Sequence, residues 1–253
     1  MIKSKKLSKF KNIKHAFFNK LGGKSTGIYK GLNCGLGSSI KQKNILKNLA
    51  IVNKKIDFKS QKIFLLNQIH SKKFYYIDKK SKPSVDQFEG DALITNKSNT
   101  PIGVLTADCA PILIFDSKIN MVAAIHAGWK GAYKGILNKV IKFMIQKGSS
   151  TNHITAVVGP CISLKNYEVK QDFIKKFIKK DKNNKIFFKN MNNKTFFDLN
   201  EYIVSELKNL DIRKIEVINK DTFNIKNNFF SARRSKSRNE NDYGRNISVI
   251  MIN

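Results

Sequence analysis

The sequence contains little of what defines several protein classes. Its three cysteines in 253 residues are too few and too scattered for a disulfide framework, which favours a reducing compartment. No apolar run approaches the ~18 residues of a transmembrane helix. The basic N-terminus also lacks the apolar stretch of a secretory signal. We therefore expect a cytoplasmic protein with no membrane partner.

Acidic residues are scarce, with 18 Asp and Glu against 48 Lys and Arg, a net charge of +30. Such an excess suggests a binder of RNA or of anionic surfaces. However, only five of the basic residues are Arg, and the lysines are spread along the whole chain as in a background composition. We therefore expect no specific nucleic-acid partner. Four of the arginines fall together at Arg233, Arg234, Arg238 and Arg245, where a planar guanidinium can bind an anion in bidentate fashion.

The hydrophobic content of 41% excludes a disordered chain, and the length suits one large domain. Short apolar runs, continuous rather than alternating, predict strands that are covered on both faces. These strands are expected near residues 62–70, 74–78, 91–95, 102–106, 112–116, 121–126, 154–158, 186–188, 196–199, 215–218 and 247–252. Helices are expected at 40–56, 133–144, near 169–178 and up to about 210. The pattern predicts a mixed α/β fold in a single domain of residues 1–253.

Histidine is also scarce, and two of the four histidines, His70 and His126, end strand-like runs. Cys109 lies between them at another predicted strand end. Two imidazoles and a thiol form a ligand set that suits Zn²⁺, and three protein ligands leave a fourth position open. Their spacing matches no zinc-finger pattern, so a buried cysteine and two hydrogen-bonded core histidines remain the alternative.

The candidate carboxylates are Asp91, in GDALIT, and Asp108, which is adjacent to Cys109. Either is a candidate general acid/base or an orienting partner of a metal ligand. Turn capping is the alternative role for both. The segment HAGWKG adds two glycines and Trp129 beside His126, which allows the backbone to approach a ligand closely and to present N–H groups at a helix start.

Several motifs occur in a fixed order: NQIH, GDALIT, TADCAPI, HAGWKG, GPCIS with YEV, FDLN, and SARR followed by YGR. Together with the opening segment HAFFNKLGGKSTGIYKGLNCG they resemble the laccase-domain (YfiH-like) family. That family is also called polyphenol oxidases, purine nucleoside phosphorylases or peptidoglycan editing factor. The resemblance covers roughly residues 13–252 and implies a layered α/β/β/α sandwich with mixed sheets.

The resemblance also implies a function. It makes His70, Cys109 and His126 zinc ligands of a cytoplasmic enzyme with Asp108 and Asp91 as catalytic candidates. The implied reactions are phosphorolysis of adenosine, inosine, guanosine and S-methyl-5′-thioadenosine, and deamination of adenosine, so the expected partners are purine nucleosides and phosphate. The residues expected to bind substrate or phosphate are Lys20, Asn33, Trp129, Arg233, Arg234 and Arg245.

Three positions depart from the family pattern and bear on substrate preference. Lys20 stands where an Arg is usual, Asp221 replaces a Cys, and Ala232 replaces an aromatic residue. Two rival activities follow from the family's names. Cys109 and His126 also suit a Cys-based or zinc-based amide hydrolase that edits peptidoglycan precursors. A multicopper oxidase needs many histidine ligands, and a chain with four histidines does not fit that reaction.

Overall fold

The computed structural model describes residues 1–36, 42–56, 62–78 and 88–253. Two β-sheets lie face to face, and helices cover their outer faces, which confirms the α/β/β/α sandwich. The helices are α1 (Gln42–Ile56), α2 (Trp129–Tyr133), α3 (Ile136–Gln146), α4 (Gln171–Lys180), α5 (Leu199–Asn209) and α6 (Ala232–Ser237). The strands are β1 (Ile13–Phe17), β2 (Phe74–Ile77), β3 (Ala92–Thr95), β4 (Ile102–Thr106), β5 (Ala110–Asp116), β6 (Met121–Ala127), β7 (Ile154–Val158), β8 (Glu168–Val169), β9 (Phe188–Met191), β10 (Lys194–Phe197), β11 (Lys214–Val217) and β12 (Asn246–Ile252).

The larger sheet is mixed and has the order β11-β7-β5-β6-β3-β2. Its central strands are antiparallel, and the outer pairs β11–β7 and β2–β3 are parallel. The smaller sheet, β1-β12-β4, is antiparallel throughout, and a third sheet, β8-β10-β9, is formed by short strands. In the larger sheet, β5 begins opposite the end of β6, and β2 and β3 begin at the same end. That end of the sheet carries the candidate metal ligands.

The core fills three layers. Phe115, Val122 and Ile250 belong to the layer between the two sheets. Helices α3 and α5 pack on the outside of the larger sheet, and α1 packs on the outside of the smaller one. Every residue of β3, β4, β5 and β6 is buried, which confirms that their continuous apolarity marks strands covered on both faces. No helix within the described ranges is long and apolar enough to cross a bilayer.

Two predicted elements differ in the structure. Residues 62–70 make only isolated bridges, such as Phe64 with Ile102, instead of a strand. Their apolar side chains alternate between two core layers, so the run is explained by packing on both sides without a continuous ladder. The predicted helix at 133–144 begins at Ile136, because Gly135 adopts a left-handed φ of 84° that interrupts the helix after α2.

Most other predicted boundaries shift by only a few residues. The strand expected at 186–188 is largely a 3₁₀ turn, and β9 begins at Phe188. The strand expected at 196–199 ends at Phe197, because Asp198 caps α5 by accepting a hydrogen bond from the Glu201 backbone N–H. Residues 40 and 41 of the first predicted helix lie outside the described residues. The single-domain organisation stays a prediction.

Buried His15 on β1 gives the fold an expected pH dependence. Burial, followed by the nearby positive charge of Lys3, lowers its pKa from 6.5 to about 4, and its Nε2 accepts a hydrogen bond from the Ser4 backbone N–H. Between these two pKa values, His15 binds a proton in the unfolded chain but not in the folded chain. The folding stability that is present above pH 6.5 is therefore lost as the pH falls toward 4. Between pH 7 and pH 4, the free energy of unfolding measured with urea should fall by about 2–3 kcal/mol less in His15→Gln than in wild type. Identical pH profiles would contradict this assignment.

Candidate metal centre and its two clefts

Four sequence-predicted residues meet at one end of the larger sheet. Cys109 immediately precedes β5, His126 is near the end of β6, and Asp91 immediately precedes β3. His70 precedes β2 and adopts a left-handed φ of 55°. Its backbone N–H donates to Asp91 Oδ1 at 3.0 Å, which fixes this unusual turn. The antiparallel register therefore brings together residues that lie 39 and 17 positions apart in the sequence.

The candidate ligand atoms are close enough together to hold one metal ion. The ligand atoms of His70, Cys109 and His126 all lie within 4.8 Å of one another. The Sγ of Cys109 is 3.7 Å from His70 Nε2, close to the roughly 3.6 Å that tetrahedral Zn–S and Zn–N bonds would give. This is the only such His/Cys/carboxylate group in the described ranges. The three side chains form a site that can hold a metal ion and leave a coordination position free.

Asp91 is the hydrogen-bond partner that orients the His126 imidazole. Its carboxylate is fully buried and lies 2.8 Å from His126 Nδ1. It also accepts hydrogen bonds from the Ser71 hydroxyl and from the backbone N–H groups of His70 and Ser71. A proton held on Nδ1 leaves Nε2 of His126 as the ligand atom, an arrangement common for metal-binding histidines. This contact supports the orienting role among those that the sequence left open for Asp91.

Cys109 and His126 are electrostatically coupled. Burial opposes ionisation of the Cys109 thiol, but the positive charge and hydrogen bonds of the histidines lower its pKa to about 7. Burial likewise disfavours the His126 imidazolium, whereas the Cys109 thiolate and Asp91 raise the pKa of His126 to about 9. The environment thus favours the thiolate, the form that binds metal.

Gly128 leaves no room for a side chain beside these ligands. A Cβ there would stand 2.7 Å from Cys109 Sγ and 2.7 Å from His70 Cδ2. The backbone after β6 can therefore approach the centre only as glycine, which supports the close-approach role expected of HAGWKG.

Gly128→Ala is expected to weaken metal binding about 10- to 100-fold, because two ligands must shift together. Competition with a fluorescent chelator measures this change. Lys130→Ala, a substitution of an exposed residue in the same segment, should bind metal as wild type does. An unchanged affinity for Gly128→Ala would show that the ligands tolerate the added methyl group.

Two clefts meet at Cys109. The metal-side cleft, about 600 Å³, is lined by the three candidate ligands together with Gln68 and Arg245. The α6 cleft, about 400 Å³, is lined by Asp108, Tyr167, Arg233 and Glu240 among others. Both clefts contain Ala107, Cys109 and Tyr243. A bound metal ion would therefore stand beside a wall shared by two ligand-sized spaces.

Asp108 joins the centre to α6. Its φ of 87° is left-handed, and its carboxylate accepts hydrogen bonds from the Thr222 hydroxyl at 2.7 Å and the Arg233 backbone N–H at 2.6 Å. Burial raises its pKa, whereas these donors favour the ionised form. The contacts explain a capping role, one of those that the sequence left open. Acid/base catalysis by Asp108 or Asp91 stays a prediction.

The predicted anion-binding arginines differ in their surroundings. Arg245 reaches the metal-side cleft, where it lies over the ring of Tyr243 and its backbone N–H donates to Asn33 Oδ1. Asn33 is buried and thus holds the backbone of Arg245 in place. A Cβ on Gly35 would come within 2.7 Å of the Arg245 side chain, so close packing also restrains it.

The other two arginines are already engaged by carbonyl groups. Arg234 donates to the carbonyl oxygens of Thr222, Phe223 and Phe229. Arg233 lines the α6 cleft, yet both terminal nitrogens of its guanidinium donate to the Glu168 carbonyl. These contacts are those of structural arginines, and phosphate binding by either residue stays a prediction.

Lys20 and Trp129 lie away from the cleft linings described above. Burial lowers the pKa of Lys20, and Arg234 and Arg238 lower it further. Trp129 packs against Phe173 and Phe177 with ring centroids 4.9 and 6.3 Å away. This packing is that of a core aromatic residue, the alternative to base binding, which stays a prediction for Trp129.

Sequence reasoning missed several residues of the site. Tyr243 and Gln68 stand inside motifs that were recognised, YGR and NQIH, but neither was assigned a role. The backbone N–H and carbonyl groups of Leu105 fix the Gln68 amide. Tyr167 likewise belongs to the motif YEV without an assigned role. Ser71 and Glu240 lie in no such motif, because their relation to the centre depends on the fold.

The fold and site define an α/β/β/α sandwich protein with a His₂Cys group that can hold a metal ion where two clefts meet. A family model described as multi-copper polyphenol oxidoreductase laccase matches residues 14–253, and the chain belongs to this family. This confirms the resemblance read from the motifs.

Individual relatives extend the comparison. A protein named purine nucleoside phosphorylase from Rickettsia conorii is 34% identical over 219 residues, which span 84% of this chain and 89% of that protein. One of the same name from Haemophilus influenzae is 34% identical over 244 residues, or 95% and 94% of the two chains. The crystal structure of the Bacillus licheniformis hypothetical protein YfiH gives a TM-score of 0.87 at 25% identity and covers 95% of this chain and 93% of that one.

Proposed function

We propose that the protein is a zinc-dependent purine nucleoside phosphorylase with adenosine deaminase activity. The observation that carries this proposal is a His₂Cys centre that opens onto a cleft holding a restrained guanidinium, Arg245. The relatives named purine nucleoside phosphorylase support the substrate class. The proposed substrates are adenosine, inosine, guanosine and S-methyl-5′-thioadenosine together with phosphate, acted on by a single domain in the cytoplasm.

Zinc fits the donor set better than copper does. Two imidazoles and one thiolate with an open fourth position are a ligand pattern of catalytic zinc. A multicopper site needs further histidines, but His15 is buried on β1 and His153 is in a turn before β7. A zinc ion bound here would supply an acidified water, with a pKa near ~7, of the kind that adenosine deamination requires.

Phosphorolysis requires that the protein bind phosphate and hold the ribose beside it. A phosphate oxygen forms a bond to C1′ of the ribose while the C1′–N9 bond breaks, and its electron pair leaves with the purine, which takes up a proton. Arg245 would hold the phosphate through paired hydrogen bonds in the metal-side cleft. The shared wall at Cys109 and Tyr243 would then place the ribose between the two clefts.

The experiment that tests the proposal combines metal analysis with product analysis. Purified protein should contain one zinc per chain and convert inosine and phosphate to hypoxanthine and ribose 1-phosphate. Removal of the metal by a chelator should abolish the activity, and added zinc should restore it. A metal-free protein with full activity would overturn the zinc requirement, and inert nucleosides would overturn the reaction.

An amide hydrolase that edits peptidoglycan precursors is the second candidate. It is favoured by the lowered pKa of Cys109 beside His126, the pairing of a thiol nucleophile with its base. Stoichiometric zinc on Cys109 would block that thiol as a nucleophile. Alkylation of metal-loaded protein decides between the roles, since a metal-bound Cys109 resists iodoacetamide and a free thiolate reacts.

A further inference from the structure

The α6 cleft has the character of a site for a flat, largely apolar group. Tyr167 and Tyr243 line it together with Ile162, Leu199 and Ala232. Burial raises the pKa of the Tyr167 hydroxyl, so this ring stays neutral. The Arg233 guanidinium donates to the Glu168 carbonyl and lies over the Tyr167 ring, so part of its hydrogen-bonding capacity is already satisfied by the protein. Aromatic and aliphatic walls of this kind suit a heterocyclic base.

The two clefts have different polar groups. The metal-side cleft contains Arg245, the cation that the proposed function assigns to phosphate. The α6 cleft contains Glu240 and Asn241, an acceptor and an amide that can face the edge of a base. Because both clefts share Cys109 and Tyr243 as a wall, a nucleoside in one and phosphate in the other would meet beside the metal centre.

Glu240 adds a carboxylate to the lining of the α6 cleft. Within the described part of the chain, no hydrogen bond or ion pair engages its carboxylate. It lies near cations: Lys236 lines the same cleft, and the charge of Glu240 raises the pKa values of Lys20 and Arg234, partly offsetting their burial. The carboxylate is thus available as a hydrogen-bond acceptor.

We propose that the α6 cleft binds the purine base and that Glu240 gives it a preference for 6-oxopurines over 6-aminopurines. The inference rests on the proposed function for the identity of the base. In a 6-oxopurine, N1 carries a hydrogen that a carboxylate accepts. In adenine, N1 is a lone pair that a carboxylate opposes. Inosine and guanosine are therefore the preferred substrates of phosphorolysis, and deamination of adenosine would feed the same reaction by yielding inosine.

Equilibrium binding of free bases tests this without turnover. Metal-loaded wild type, Glu240→Gln and Glu201→Gln are titrated with hypoxanthine and adenine in the absence of phosphate. Glu201 is an exposed residue of α5 and not among the cleft-lining residues, so its variant is a matched control. Wild type and the control should bind hypoxanthine about tenfold more tightly than adenine. Glu240→Gln should lose about tenfold in hypoxanthine affinity, because a neutral amide oxygen accepts a weaker hydrogen bond than a carboxylate does.

A Glu240→Gln protein that retains the wild-type preference would overturn the role of Glu240. Wild type that binds both bases equally would overturn the preference itself. Glu240→Asp keeps the carboxylate and should retain part of the preference for hypoxanthine. Retention in this variant would show that the loss in Glu240→Gln does not come from a folding defect. If nucleosides prove inert with phosphate while the base preference holds, the proposed activity fails and the base-binding cleft stands.

Discussion

His126→Ala is expected to purify with less than about 0.1 equivalent of zinc and with phosphorolysis of inosine reduced at least about 1,000-fold. His126 is buried, is held by Asp91 at 2.8 Å and supplies one of only three candidate ligands. Its loss leaves two protein ligands for the metal and an Asp91 carboxylate without its imidazole partner. Elemental analysis of the purified protein and a coupled assay of hypoxanthine release measure the two effects.

His153→Ala is the matched control, because His153 precedes β7 in a 3₁₀ turn and is not in the His/Cys group. It should retain one zinc and wild-type activity. Full zinc content in His126→Ala would show that the metal is bound elsewhere. Full zinc with lost activity would assign His126 to the reaction and not to the metal.

The three candidate metal ligands were predictable from the sequence, because histidine and cysteine are scarce and the surrounding motifs resemble those of a known family. With four histidines and three cysteines, the contexts NQIH, TADC and HAGW selected one set, and the strand register brings that set together. The fold class followed from continuous apolar strands in the same way. The predicted strand at 62–70 is absent from the structure. The apolar side chains of this segment alternate between two core layers, which gives a strand-like composition without a continuous hydrogen-bonded ladder.

The roles of the charged residues were not predictable, because they depend on where each side chain ends in space. Arg233 and Arg234 are adjacent in the sequence and of the same type. Arg233 nevertheless donates to the Glu168 carbonyl, whereas Arg234 donates to the Thr222 carbonyl. Arg245 is equivalent to them in the sequence but lines the metal-side cleft. For Asp91 the sequence leaves acid/base catalysis, orientation of a metal ligand and turn capping open, and its contact with His126 supports orientation.

Arg245→Met is expected to raise the KM for phosphate about 100-fold or more while changing nucleoside binding far less. The reason is that Arg245 would supply charge-assisted, paired hydrogen bonds to an anion, and methionine keeps most of the side-chain volume without them. Arg245→Lys should recover only part of the loss, since an ammonium group lacks the planar fork. Initial rates at varied phosphate and saturating inosine measure the effect.

Two further arginine variants separate this role from general loss of charge. Arg213→Met removes an exposed arginine that forms an ion pair with Asp211 at the surface, and it should leave the phosphate KM unchanged. Arg234→Met should lower the melting temperature, because three carbonyl groups lose their donor. If Arg245→Met keeps a wild-type phosphate KM, the phosphate is bound elsewhere, and Lys236 in the α6 cleft becomes the cation to test. The contrast among these variants follows from position. Arg234 donates to three carbonyl groups of the protein. Arg245 donates to one carbonyl, that of Tyr243, and lies 3.8 Å from Asp242, but it also lines the metal-side cleft, where a ligand can reach it.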